Sequence, residues 1–168
     1  MSVIASKRGG STTAKAFIKQ IDTALQSSIR SVPTINGIDC YRLWIQGIVI
    51  ATSIDQNQCT LDDGTGVLRL ELKIFLKNAP SKVDARPQLG DYIMVIGPIQ
   101  KVKADSEYGS VRTLLAHQVI KLDSKLQREP MWDLEVIEYW TSVVQTTTTS
   151  STLATSSTLA TSSTLATS

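Results

Sequence analysis

The sequence predicts a mainly β domain, a small closed barrel of five strands carried between an N-terminal and a C-terminal helix. Three observations predict it. Apolar residues recur every fourth position before Pro33, change to strand-like alternation after Asn36-Gly37, and return to a helical pattern at Pro130. Five strand-like runs fall within about 80 residues, separated by turn chemistry. The first run has a glycine in its interior, and a longer connection separates the third from the fourth.

Residues 1–12 are small and polar, with Lys7, Arg8, Gly9 and Gly10, and read as a flexible basic start. A helix is expected over Thr13–Ile29, because Phe17, Ile21, Leu25 and Ile29 recur every four residues with Ile18 and Ala24 beside them. Ser11 or Thr12 can cap it, and Pro33 with Asn36-Gly37 ends it. Leu43–Ser53 reads as the first strand, with Gly47 free to coil or bulge it. Cys59–Leu61 reads as the second, turned by Asp62-Asp63-Gly64-Thr65-Gly66 into a third over Val67–Phe75. In that third strand Leu68, Leu70, Leu72 and Ile74 alternate with Val67, Arg69, Glu71 and Lys73, one face apolar and one mostly wet.

Residues 77–90, with Pro80, Pro87 and Gly90, read as a connection that has room for one helical turn. Asp91–Ile99 is a fourth strand with a breaker inside it, and Val111–Leu122 a fifth after a polar loop. This layout is that of the OB-fold. A last helix begins at Pro130 and runs to Val144, with acidic groups suited to its start. Trp132, Val136, Trp140 and Val143 form one stripe, Leu134 and Ile137 lie to its side, and the apolar arc is wider than one barrel needs. Residues 13–144 therefore form the domain. Residues 145–168, threonines followed by three copies of Ser-Thr-Leu-Ala-Thr-Ser, read as a disordered tail, because one leucine in six cannot offset backbone ordering.

Composition narrows the function. The chain carries 17 basic and 15 acidic groups. By segment, residues 1–36 hold five and one, residues 37–127 eleven and ten, and residues 128–168 one and four. The sum neither demands nor excludes nucleic acid. No run of eighteen apolar residues exists and the amino terminus lacks a secretory core, so a nuclear or cytosolic protein without a membrane span is expected. Cys40 and Cys59 with the single His117 make no zinc set; both thiols read as reduced and buried, and His117 as structural or surface. Asp62-Asp63 before Gly-Thr-Gly is turn chemistry. With no nucleophile elbow, phosphate loop or Cys/His cluster, no enzymatic activity, metal or other cofactor is expected.

Two binding readings remain. Barrels of this layout that hold single strands need aromatic platforms in a basic groove. The candidate face here offers Arg69 and Lys73 with Glu71, and only Phe75 nearby, so direct nucleic-acid contact is expected to be weak. Aromatics gather elsewhere: three of the nine, Trp132, Tyr139 and Trp140, lie in the final helix. They anchor either a partner or the helix to its own barrel, and composition leaves both open.

The segments Leu43-Trp44-Ile45-Gln46-Gly47, Leu61-Asp62-Asp63-Gly64-Thr65-Gly66, Tyr92-Ile93-Met94-Val95-Ile96-Gly97-Pro98-Ile99-Gln100 and Met131-Trp132-Asp133-Leu134-Glu135-Val136 together resemble the RecQ-mediated genome instability protein 2 family. The resemblance runs from about Arg42 to Glu138, and its hairpin motif recurs in the middle subunit of replication protein A. It implies a nuclear, non-catalytic OB-fold subunit that pairs with a larger RMI subunit and, through it, with topoisomerase III and a Bloom-type RecQ helicase. That complex dissolves double Holliday junctions and suppresses crossovers. It implies also that the final helix meets the partner, which assigns partner binding to Met131, Trp132, Leu134, Val136, Ile137 and Trp140. The alternative is a single-strand-binding subunit of a replication or telomere complex, using Arg69 and Lys73.

Overall fold

The structure, a computed structural model, describes residues 13–26, 32–79, 86–102, 111–122 and 128–158. Its elements in chain order are β1 (Thr13–Lys15), α1 (Ile18–Gln26), β2 (Thr34–Ile35), β3 (Ile38–Asp39), β4 (Arg42–Thr52), β5 (Gln58–Asp62), β6 (Val67–Glu71), α2 (Lys73–Asn78), β7 (Tyr92–Gly97), β8 (Ile99–Val102), β9 (Val111–Leu115), β10 (Gln118–Lys121) and α3 (Arg128–Thr158).

β4 organises the barrel because it is long enough to serve two neighbours. Its first half pairs antiparallel with β7, from Leu43↔Gly97 to Ile48↔Tyr92, and its second half with β5, from Ile48↔Asp62 to Thr52↔Cys59. β5 and β6 form a hairpin, β6 runs parallel to β9, β9 pairs with β8, and β10 with β7. β7 and β8 are one strand bent at Pro98, and β9 and β10 one strand broken at Ala116–His117. The path β4–β5–β6–β9/β10–β8/β7 therefore returns to β4, a closed five-stranded OB-fold barrel. Inward alternation supplies its core: Leu43, Ile45 and Val49 meet Leu61, Leu68, Leu70, Ile93, Val95 and Leu114, all buried.

Two glycines permit the closure. A Cβ on Gly47 would collide with the Asp62 carbonyl oxygen, and one on Gly97 with that of Leu115. The bulge expected near Gly47 lies further on, between Val49 and Ala51. Backbone groups at the two breaks find partners across them. Leu115 N–H donates to Pro98 O at 2.9 Å and His117 N–H to Ile96 O at 2.9 Å.

Several boundaries differ from the expectation. Thr13–Lys15 is strand, not helix, and α1 begins only at Ile18. The cause is tertiary: β5 covers β4 only from Ile48 onward, and β1 fills the edge left at Arg42–Trp44 in parallel register, Thr13↔Arg42 to Lys15↔Trp44. The expected cap at Ser11 or Thr12 and the helix end at Ile29 lie outside the described residues, as do residues 1–12. The third strand stops at Glu71. Leu72, just before α2, and Leu76 within it are spaced four apart and buried, and Ile74 turns outward to 40% exposure. Asn36 and Gly37, both at positive φ, turn a short β2–β3 hairpin.

α3 starts at Arg128, two residues before Pro130, and continues past Val144 to Thr158, so residues 145–158 of the expected disordered tail are helical. Hydroxyls that would compete with the helix turn back onto it: Thr141 donates to Ile137 O at 2.8 Å and Thr146 to Ser142 O at 2.5 Å. Residues 159–168 lie outside the described residues. Among the described residues no helix is long and apolar enough to cross a membrane.

Candidate partner interface

α1 is set in place by the hairpin that faces it. Asp63, buried at the β5–β6 turn, accepts the Thr65 N–H, the Thr65 hydroxyl and the Gly66 N–H on Oδ1, at 2.9, 2.7 and 3.1 Å. Its Oδ2 accepts the Ile18 N–H at 2.8 Å, so one carboxylate closes the turn and caps the helix. Thr65 Oγ1 accepts the next amide, that of Lys19, at 3.2 Å. Asp62 takes the turn role expected of it, accepting the Gly64 N–H at 2.8 Å. Farther along, Arg112 pairs with the Asp22 carboxylate of α1.

α3 lies across the outside of β1 and β4. Trp132 stacks on Trp44 with ring centroids 6.0 Å apart and planes at 28°. Lys15 reaches into this seam from β1. Its ammonium lies 4.8 Å from the Trp44 centroid and 5.9 Å from that of Trp132, and Nζ is 2.7 Å from Glu135 Oε2. Trp140 Nε1–H donates to the Lys15 carbonyl at 2.8 Å, and Tyr139 meets the Trp140 ring edge-on at 5.1 Å. Burial, then the carboxylates of Glu129, Asp133 and Asp63, push the Tyr92 phenol up to about 12. Burial, followed by the neighbouring Cys40, also raises Tyr139.

The six helix residues expected to face a partner divide into two sets. Trp132, Val136 and Trp140, at 1%, 0% and 5% exposure, belong to this chain's own core. In the chain by itself these three are packed against the barrel, with almost no surface exposed. Met131, Leu134 and Ile137 are 54%, 62% and 56% exposed, and Val144 continues their side of the helix at 47%. At about 100° per residue the row Leu134, Ile137, Thr141, Val144 lies roughly 130° round the helix from the buried set. Asp133 flanks this outer row on one side and Glu138 on the other.

The β5–β6 face is built differently. Outward-facing Thr60 pairs with Arg69, and Gln58 Nε2 donates to Glu71 Oε2 at 3.0 Å. Lys73 lies on α2 rather than on the strand, 3.5 Å from Glu71, so Arg69 and Lys73 do not form a shared basic row. Arg69 borders a shallow groove of about 240 Å³ with Thr52, Ser53, Gln58 and Thr60, and no aromatic side chain lines it. Phe75 is half-buried against the core. Of the further basic groups, Arg86 is hydrogen-bonded to Gln56, and Lys82 and Lys103 lie outside the described residues.

Cys40 and Cys59 are free and buried; burial pushes the Cys59 thiol up to about 12 and raises Cys40 as well. His117 is exposed at the β9–β10 break. Among the described residues no His, Cys, Asp and Glu cluster suited to a metal occurs. The site residue missed in the sequence is Lys15. Its only local signal is the alternation of Thr13, Ala14, Lys15 and Ala16, which puts two buried alanines on one side and the lysine on the other.

A chain of a replication protein A heterotrimer bound to ssDNA is similar with a TM-score of 0.58 and 16% identity, over 79% of this chain and 98% of that one. A chain of the S. pombe Stn1–Ten1 complex gives 0.55 and 17%, over 78% and 96%, and yeast Stn1 and Ten1 give 0.56 and 15%, over 83% and 77%. At such identities these likenesses establish the OB-fold. No curated protein sequence matches the chain. The sequence model of RecQ-mediated genome instability protein 2 spans β1, the whole barrel and α3 as far as Trp140, matching residues 12–140, and the chain belongs to that genome-stability family.

Proposed function

We propose that the chain is a nuclear, non-catalytic OB-fold adaptor. It pairs with a larger RMI subunit through α3 and, in that pair, supports a RecQ helicase–topoisomerase III complex in double Holliday junction dissolution and crossover suppression. The observation that carries this reading is the second apolar face of α3. The barrel consumes Trp132, Val136 and Trp140, and Leu134 and Ile137 remain in solvent on the other side, beside Met131. Burying such side chains contributes roughly 1.5–3 kcal/mol each before the costs of association. The acidic margins at Asp133 and Glu138 favour a partner helix or groove with an apolar centre and basic edges. Direct DNA contact is a minor part of this role.

The test is the double substitution Leu134→Asp, Ile137→Asp in the full chain, titrated against the purified C-terminal OB-fold of the larger RMI subunit. Affinity is expected to fall by at least about 100-fold while the melting temperature stays within a few degrees. Affinity within threefold of the original, with α3 intact by circular dichroism, overturns the reading.

A further inference from the structure

The inner face of α3 is apolar, and apolar packing is non-directional: by itself it buries the helix without fixing its rotation or its position along the barrel. Directional contacts are needed for that, and β1 supplies them. Lys15 donates through Nζ to Glu135, lies over the indoles of Trp44 and Trp132, and accepts from Trp140 Nε1 on its carbonyl. These contacts engage α3 at positions 132, 135 and 140, a span of about 12 Å along the helix axis.

Lys15 is itself firmly placed. Its strand is in register with Trp44 of β4, Ala16 N–H donates to Trp44 O at 3.2 Å, and two residues on the Ile18 amide is held by Asp63. Ala14 and Ala16, buried toward the core, leave Lys15 the opposite direction, toward α3.

We propose that β1 is a strap and that Lys15 is the positioning residue that sets the pose of α3 on the barrel. Its consequence for the partner rests on the adaptor reading above: Lys15, which lies on the inner side, decides how the outer row of Leu134 and Ile137 is presented. An exposed lysine–glutamate pair contributes little alone. Here the same ammonium is shared with two indole faces, and the same residue's carbonyl holds a third aromatic side chain.

The experiment is hydrogen–deuterium exchange on the full chain, without partner, for the wild type, Lys15→Met, Lys15→Arg and the exchanged pair Lys15→Glu, Glu135→Lys. Lys15→Met keeps the aliphatic stem and the strand. It is expected to speed exchange of α3 amides over residues 133–143 about tenfold, with β4 and β7 amides within twofold. Lys15→Arg should return α3 to near wild-type protection, whereas the exchanged pair, which restores the ion pair but sets a carboxylate against the indole faces, should recover only part of it. Unchanged α3 exchange in Lys15→Met overturns the proposal, as does uniform acceleration of helix and barrel together. Because this readout contains no partner, a failure of Leu134→Asp, Ile137→Asp to weaken binding would sink the adaptor reading and leave the strap standing.

Discussion

On its inner side α3 has two tryptophans and a valine with almost no accessible surface; on its outer side it has a leucine and an isoleucine more than half in water. The two faces share a helix and both carry large apolar side chains, and what separates their burial is what lies opposite. Trp44, Lys15 and the edge of β4 meet the first, and nothing in the chain's described residues covers Leu134 and Ile137. The hydrophobic content of a helix is therefore no measure of how much apolar surface it leaves exposed. The most aromatic residues of α3 serve the fold, and less conspicuous aliphatic ones are left in solvent.

The largest expected effect follows from this division. Trp132→Ala removes a fully buried indole stacked on Trp44, and should cost about 3–5 kcal/mol of stability with a melting temperature lowered by roughly 10 °C or more. Calorimetry on the isolated chain checks it. Loss of partner binding in that variant would follow from a displaced helix. Leu134→Asp, Ile137→Asp reverses the pattern, with binding lost and stability within about 1 kcal/mol by urea titration. If both variants weaken binding without touching stability, the inner and outer assignments are wrong.

The barrel was legible in the sequence because period-two alternation and turn residues are local signals. Leu43 to Val49, Leu68 to Leu70 and Tyr92 to Gly97 fell where they were expected, and the Asp62-Asp63-Gly64 turn reported its own chemistry. What was not legible depended on distant partners. Thr13–Lys15 continues a helical pattern and becomes strand only because β4 has a vacant edge thirty residues away. Leu72 and Leu76 compete with the alternation through Ile74, and the spacing of four wins where β6 loses its neighbour. A helix whose apolar arc is too wide announces two uses, but only docking on Trp44 divides Trp132, Val136 and Trp140 from Leu134 and Ile137. Lys15 carried no motif at all, since its role comes from what strand pairing places above it.

The β5–β6 face extends the contrast to a surface with charge, a single exposed Val67 on β6 and no aromatic platform. Arg69→Glu with Lys73→Glu should leave stability within about 0.5 kcal/mol and partner affinity within twofold, because neither side chain approaches α3. Isothermal titration with the larger RMI subunit's OB-fold measures the second. A tenfold loss there would place the partner across this face. Single-strand DNA affinity of the same variant, measured at two salt concentrations, reports whether the pair supplies any phosphate contact.

The smallest effect concerns the loop beside that face. Hydrogen bonds from the Ser53 hydroxyl and then from Asn57, with a lesser contribution from the charge of Lys73, hold Asp55 at about 2, below its ordinary 3.8. A carboxylate depressed in the folded state contributes its stabilisation above the unfolded value, near pH 4, and loses it as pH falls toward 2. The Asp55 carboxyl resonance should therefore titrate near pH 2, and the Asn57 amide, 3.1 Å from Oδ1, should shift in the same window. Since Lys73 is the weakest of the lowering causes, Lys73→Glu should move the midpoint upward by less than Ser53→Ala does. A larger shift from Lys73→Glu would mean that long-range charge, not the loop's own hydrogen bonds, governs this face, and it would then be a more responsive electrostatic surface than its paired Lys73 and Glu71 indicate.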